Sequence, residues 1–302
     1  MKNSKWTLCL LGFVLTFAIT ASAADTPALK FTFTQANVHG ALYTQPAGIN
    51  NAGVIVGNYA DIGGEYGYGY ILDGKKLTRI VDPKGWAGGT TVQGINPDGT
   101  VSVVGEYQTS NKVGEGKVVG FLYKDGKYTD IPGPSGTELV GALGINDSGA
   151  VVGYYEDTAG VHGYLLQGNK YTTLDVPGAV ATFATGINKS GKIVLFWIDS
   201  SGNAESSLYD GKTYKTINVP GVPNSLAWGI NAAGDVIYEW EDAIFVTHGA
   251  LLHSGKYYKF DYPNSTNTNR GNAGINDEGG IVGTYDILSH GSDPLGYKAT
   301  YK

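Results

Sequence analysis

Gly144-Ile145-Asn146-Asp147-Ser148-Gly149-Ala150-Val151-Val152-Gly153 is the stretch on which the reading of this chain turns. An Asn followed three residues later by Gly, with polar residues between, is the pattern of a type I turn closed by a left-handed glycine. Such a turn makes a tight hairpin with a bulge. The apolar residues on either side are then its two arms. Gly-Ile-Asn recurs from Gly48, Gly94, Gly186, Gly229 and Gly274, so that successive copies are spaced by 46, 50, 42, 43 and 45 residues. The turn quartets read NNAG, NPDG, NDSG, NKSG, NAAG and NDEG. A period of this length marks a propeller, a solenoid or an array.

Working outward, a second strand follows each turn, as over residues 54–59 and 151–155. In the second copy two extra residues near Val101 lengthen this part, and an even insertion keeps side-chain parity. A variable loop leads to a third strand, expected at 68–72, 118–123, 162–166, 206–209, 249–252 and 296–300. Short Gly-containing turns then lead to a fourth strand that stops at Pro83, Pro132, Pro177, Pro220 or Pro263. Proline ends strands because it cannot donate to the ladder. After Gly274 the chain has a second and a third strand and then ends. Residues 30–34 and 46–50 supply a fourth strand and the next first strand, so two strands from each end would complete the sixth unit. The expected fold is all-β: one six-bladed β-propeller of four-stranded antiparallel blades over residues 25–302, its ring closed by N- and C-terminal strands sharing one blade. Closure removes the exposed sheet edges of an open stack. A β-solenoid is the alternative, but it gives no reason for the ends to complement each other. Leu195 and Tyr238 stand where other copies have Gly57, Gly153 and Gly283, so copies four and five are expected to be irregular.

Composition agrees. The 302 residues include 46 glycines, 16% are charged and 42% are hydrophobic, which does not suit disorder or a coiled coil. Lys2 and Lys5, an apolar run from Trp6 to Ile19 and Ala21-Ser22-Ala23-Ala24 have the layout of a signal peptide over residues 1–24. A membrane span needs about 20 apolar residues, more than this run has, and no later run is long enough. Cys9 lies inside the leader, so the mature chain would hold no disulfide and no thiol chemistry. Without Lys2 and Lys5, 19 basic residues face 27 acidic ones, a net charge of −8, which disfavours nucleic acid and anionic membrane as partners. The expected location is secreted or periplasmic, and the expected state a monomer.

Gly-Ile-Asn-x-x-Gly-x-Val-Val-Gly, then His162-Gly163-Tyr164, then Asp175-Val176-Pro177-Gly178, resembles the extracellular HAF repeat family of bacteria across essentially the whole mature chain. The resemblance implies an exported, repeat-built protein and brings no activity with it. The signatures of WD40, kelch and sialidase propellers are absent at the repeat period.

Tight hairpins join strands one to two and three to four, so they share a face; the variable loops share the other. Binding residues favour long loops on a rigid scaffold. The long-loop face is therefore the candidate ligand site, with His39, Asp61, Trp86, Asp157, His162, Asp199, Glu241, Asp242, His248, Arg270 and His290 as its candidate residues. Lysines gather on the tight-turn face, which leaves an acidic mouth suited to a cation, a neutral glycan or a basic protein. His162, His248 and His290 precede Gly at similar repeat positions, which favours a structural cap, and most of the Asp residues read as turn formers. No calcium-loop spacing occurs, so no cofactor is expected, with a central calcium held by one carboxylate per blade as the open alternative. No G-x-S-x-G, HExxH or phosphate loop is present. With only Arg79 and Arg270 in the mature chain, an arginine-triad site cannot be built. The leading expectation is a non-catalytic exported propeller that binds an extracellular glycan or protein. The alternatives are a metal-assisted hydrolase, lactonase or polysaccharide lyase using the acidic mouth, and a structural envelope or matrix protein. Whether it is an enzyme stays open, with a binding role favoured.

Overall fold

The structure of the protein, a computed structural model, describes residues 29–64, 66–112, 115–134, 137, 139–288, 291 and 293–302; the expected leader lies outside them. Among the described residues are 24 strands and no α-helix. After β1 (Phe31–Gln35) come β2 (Ala41–Ile49), β3 (Ile55–Asp61), β4 (Gly67–Asp73) and β5 (Lys76–Ile80). The second repeat holds β6 (Thr90–Ile95), β7 (Ser102–Gln108), β8 (Val118–Lys124) and β9 (Lys127–Ile131). The third holds β10 (Leu139–Ile145), β11 (Val151–Asp157), β12 (Gly160–Gln167) and β13 (Lys170–Leu174). The fourth holds β14 (Ala181–Ile187), β15 (Ile193–Ile198), β16 (Ala204–Tyr209) and β17 (Tyr214–Thr216). The fifth holds β18 (Asn224–Ile230), β19 (Val236–Glu241), β20 (Thr247–His253) and β21 (Lys256–Phe260). Last come β22 (Asn267–Ile275), β23 (Gly280–Asp286) and β24 (Leu295–Tyr301). Consecutive strands of each repeat pair antiparallel, and single parallel bridges, Val118 to Leu139 and Val161 to Ala181, link repeats two, three and four into one sheet. The architecture is all-β and propeller-like.

The last sheet runs β1-β24-β23-β22, with Phe31 opposite Tyr301. This corrects the expectation of two strands from each end: the C-terminal side contributes three and the N-terminal side one. β2 already carries a Gly-Ile-Asn and pairs with β3, so it opens the first repeat and does not complete the last. Phe31 and Phe33 of β1 pack on Phe260, Tyr262 and Tyr297, which seats the strand.

The turn reading holds in the backbone. Gly149 has φ 79° and its N–H donates to Asn146 O, and the glycines closing the other five turns also have positive φ. The Asn of the tripeptide has two tasks. Its Oδ1 accepts the backbone N–H that ends the turn, from Val54, Ala150, Lys192, Asp235 or Gly280 at 2.6–3.1 Å. In the second copy Ser102 takes this place, two residues later than elsewhere. The Nδ2 donates to the neighbouring repeat: Asn146 to Asn188 O, Asn188 to Asn231 O, Asn231 to Asn276 O and Asn276 to Asn50 O.

The glycine allows the first strands to converge. A Cβ on Gly144 would lie 3.2 Å from Gly186 Cα, and one on Gly274 only 2.8 Å from Gly48 Cα. A register shift just before this glycine position recurs in the first five first strands, while in β22 it lies earlier, between Thr268 and Ala273.

The core lies between repeats. Six buried clusters each join consecutive repeats, as Ile80 and Val56 meet Val92, Val103 and Phe121. One of them sets Val282 of the sixth repeat against Ile49, Ile55, Tyr59 and Tyr70 of the first. Each large aliphatic side chain buried in this way contributes roughly 1.5–3 kcal/mol. The inserted pair in the second copy leaves Val103 and Val104 fully buried, as side-chain parity requires. In the fourth repeat the outer strand β17 shrinks to three residues, while the fifth keeps four regular strands. Leu195 and Tyr238 are themselves fully buried.

Candidate functional site

Each second strand carries an aromatic residue at the same register: Tyr59, Tyr107, Tyr155, Trp197, Trp240 and Tyr285. They lie opposite Tyr68, Val119, His162, Glu205, His248 and Leu295 of the third strands. Sequence reasoning missed this set. Its signal was an aromatic residue two positions past the second-strand glycine position. Because antiparallel order sends the variable loops to one end, these residues sit near the long-loop face.

In the third repeat His162 lies between two carboxylates. Its Nδ1 is 3.0–3.1 Å from both oxygens of Asp175, its Nε2 is 3.3 Å from Asp157, and its ring stacks on Tyr155. Burial pulls the imidazole pKa down, but the hydrogen bonds and charges of Asp175 and Asp157 outweigh it and hold it above the ordinary histidine value. Asp157 lies below its usual range, first because Ala159 N–H donates to it and then because of His162.

The fifth repeat builds the same arrangement. His248 Nδ1 is 3.0–3.1 Å from Asp261, and its Nε2 lies 3.5 Å from Asp242, too long for a strong hydrogen bond. The imidazole stacks on Trp240 at 4.2 Å, and Lys259 Nζ sits 4.1 Å from the same indole. In the first repeat an arginine does the work of the histidine. Arg79 lies 3.9 Å from the Tyr68 ring, donates to Tyr59 Oη and pairs with Asp61 at 2.8 Å. Repeats one, three and five thus hold an aromatic ring, a basic group and a carboxylate together, and so does the second, where Asp130 lies 3.4 Å from Tyr107 Oη and 2.7 Å from Lys84 Nζ. The partners Asp175, Asp261 and Arg79 were not anticipated, though both Asp residues stand in a repeated Asp-x-Pro.

The remaining candidates are dispersed. Asp199 accepts from Ser201 N–H, Asn203 N–H and Asn203 Nδ2, which holds its pKa below the usual range. Asp242 likewise accepts from Val246 and Ile244 N–H groups, the loop-forming role expected of such residues. Glu241 accepts from Asn224 Nδ2 at 3.0 Å. Arg270 is exposed and 3.6 Å from the buried Asp286. Trp86 packs edge-on against Tyr66, His39 is exposed in the turn before β2, and His290 lies outside the described residues. Among the described residues no group of three His, Cys, Asp or Glu is arranged to hold a metal ion, and no helix is long and apolar enough to cross a membrane.

No family model matches the chain, and no curated protein matches it by sequence. Solved structures do. TolB from Acinetobacter baumannii aligns with TM-score 0.57 at 12% identity, over 88% of this chain and 64% of its own. SapL1 lectin, solved in complex with alpha methyl fucoside, aligns with TM-score 0.55 at 12% identity, over 87% and 95%. AofleA from Arthrobotrys oligospora aligns with TM-score 0.53 at 11% identity, over 86% and 84%. The likeness is one of fold.

Proposed function

We propose that the chain is a six-bladed propeller, closed where β1 completes the last blade, that binds a neutral glycan without transforming it. The contacts of Asn276 with Asn50 and of Gly274 with Gly48 support closure, since they repeat between the sixth and first units what joins the others. The observation that carries the binding reading is the recurrence, in repeats one, two, three and five, of a ring beside a basic group and a carboxylate on the long-loop face. Aromatic faces pack against sugar C–H groups while flanking polar groups hydrogen-bond hydroxyls. Several such clusters on one face suit multivalent capture, in which each weak site raises overall avidity. The fold it shares with SapL1, a lectin solved with a fucoside, is compatible with this use. Secretion or residence in the periplasm, a monomeric state and kinship with HAF repeat proteins belong to the same proposal.

A glycan array probed with the chain from residue 25 onward tests it. Neutral glycans are expected to bind and to remain uncleaved. Asp242→Asn with Asp157→Asn should weaken binding at least about tenfold through lost avidity. Absence of any glycan binding by a folded sample, or accumulation of cleaved product, overturns the reading.

A further inference from the structure

Among the described residues, the large apolar side chains with more than half of their surface in solvent are Ile62, Val180, Ile244, Phe245 and Leu288, from 59% for Val180 to 89% for Leu288. None belongs to a strand, and all stand in connections of the long-loop face. Four of the five share one place in the repeat, the connection from second to third strand just after an Asp: Ile62 follows Asp61, Ile244 and Phe245 follow Asp242, and Leu288 follows Asp286. These belong to repeats five, six and one, whose buried clusters join them in that order. In repeats three and four the same place holds Thr158-Ala159 and Ser200-Ser201. Single exposed apolar residues are ordinary, whereas several gathered along one side of a face mark a contact surface.

The tip in repeat five is held at a cost. Asp199 and Asp242 build the same loop in repeats four and five. In each, Oδ1 accepts two backbone N–H groups, from Ser201 and Asn203 at 2.8 and 2.9 Å or from Ile244 and Val246 at 2.9 and 3.0 Å. In each, the third residue after the Asp donates its N–H to the Asp carbonyl, from Gly202 at 3.0 Å or Phe245 at 3.1 Å. That residue has a left-handed backbone, φ 86° at Gly202 and 64° at Phe245. Glycine adopts this conformation freely, but for a bulky side chain it is strained. Repeat five thus places an aromatic ring, 78% exposed, where the matching loop uses glycine. Strain in a side chain left in solvent points to a task outside the fold.

Three features select the occupant. Residues 62–64, 243–246 and 287–288 include no charged side chain, so the tips themselves suit an apolar medium. They stand on three different repeats, and a fluid lipid surface accepts each anchor where it falls, whereas a rigid protein partner would need a separate pocket for each. At their bases are Asp61, Asp242 and Asp286, of which Arg79 and Arg270 offset two, so the support is neutral to acidic and does not attract anionic lipid. We propose that this half of the long-loop face docks on a membrane surface of zwitterionic phospholipid, with Ile244, Phe245, Ile62 and Leu288 inserted below the headgroups. The docking needs no membrane span and does not rest on the glycan reading, since the lipid alone is the ligand.

The test floats the folded chain with vesicles of phosphatidylcholine, free of any sugar. Partitioning into the vesicle fraction is expected, and replacing part of the lipid by phosphatidylglycerol should weaken it. Phe245→Gly and Ile244→Ser should each lower the partition coefficient at least about tenfold. Phe245→Gly should keep a thermal midpoint no lower than that of the unaltered chain, because it removes the left-handed strain. Val180→Ser, between repeats three and four and away from these tips, should leave partitioning unchanged. An indole introduced by Ile244→Trp should be quenched by phosphatidylcholine brominated on its acyl chains, as insertion requires. No binding to phosphatidylcholine, binding undiminished by Phe245→Gly, an equal loss in Val180→Ser, or binding that depends on phosphatidylglycerol overturns the proposal. A lower midpoint for Phe245→Gly, which gives the ring a task in the fold, overturns it too. So do concentration-dependent dimers that this variant abolishes, since the occupant is then a second copy of the chain.

Discussion

At the scale of single residues, the Asn of each Gly-Ile-Asn shows how one side chain serves local and long-range structure together. Asn188 accepts from Ser190 N–H, Ser190 Oγ and Lys192 N–H and donates to Asn231 O. Alanine there leaves the part-buried N–H groups of Ser190 and Lys192 without their acceptor and removes the link to Asn231 O, which keeps only Gly234 N–H, and each orphaned donor costs roughly 1–3 kcal/mol. Asn188→Ala should therefore lower unfolding free energy in urea by about 2–4 kcal/mol, whereas a value under about 0.5 kcal/mol would mean that water replaces the amide without loss. Glu239 is the opposite case, a side chain the fold tolerates. Its carboxyl is raised from 4.5 to about 7 by burial, so between these values the folded chain keeps a proton that the unfolded chain has released. Stability then falls as pH rises from 4.5 to about 7, and the full penalty persists above that. Glu239→Gln should raise the thermal midpoint at pH 8 and change it little at pH 4. Equal shifts at both pH values would show that ionisation is not the cause.

At the scale of elements, the glycine period and the terminal strand carry the argument. Gly274 leaves no room for a methyl group, because a Cβ would meet Gly48 Cα at 2.8 Å and Ala47 O at 2.9 Å. Both are backbone atoms of another repeat and cannot swing aside. β1 is one strand of five residues, yet it covers the outer edge of the last sheet with Phe31 and Phe33. Removal of residues 1–36 should expose β24, lower the thermal midpoint and promote association through the freed edge, seen as higher-order species in size-exclusion chromatography. Unchanged stability and size would show that β24 needs no cover.

At the scale of the whole molecule, the two ends meet. Lys30 N donates to Lys302 O at 3.0 Å, and Lys302 N to Lys30 O at 3.2 Å. A peptide linker joining Lys302 to Leu29 should close without strain and raise the thermal midpoint, because it removes disorder from the unfolded chain alone. A lower midpoint would mean that the termini of the folded molecule do not lie as close as these bonds require.

Repeats, turns and strand order were legible in the amino-acid sequence because they are local. A quartet such as Asn146 to Gly149 needs a left-handed glycine wherever it stands, and six spaced copies make six similar units. The loop-forming Asp residues were legible for the same reason. Periodicity also located the long-loop face and placed His162 and His248 alike. What tertiary structure alone decided is which side chains from different strands meet. Asp175 and His162 are 13 residues apart and touch only because β12 and β13 are neighbours. The count of strands contributed by each end depended on which neighbour β2 chooses. Glu106, Tyr154, Phe183, Phe196, Trp228 and Glu239 come from different repeats, and no spacing in the chain announces that they touch in a row. Backbone turns depend on residues a few positions apart, whereas side chains of different repeats meet where distant strands converge.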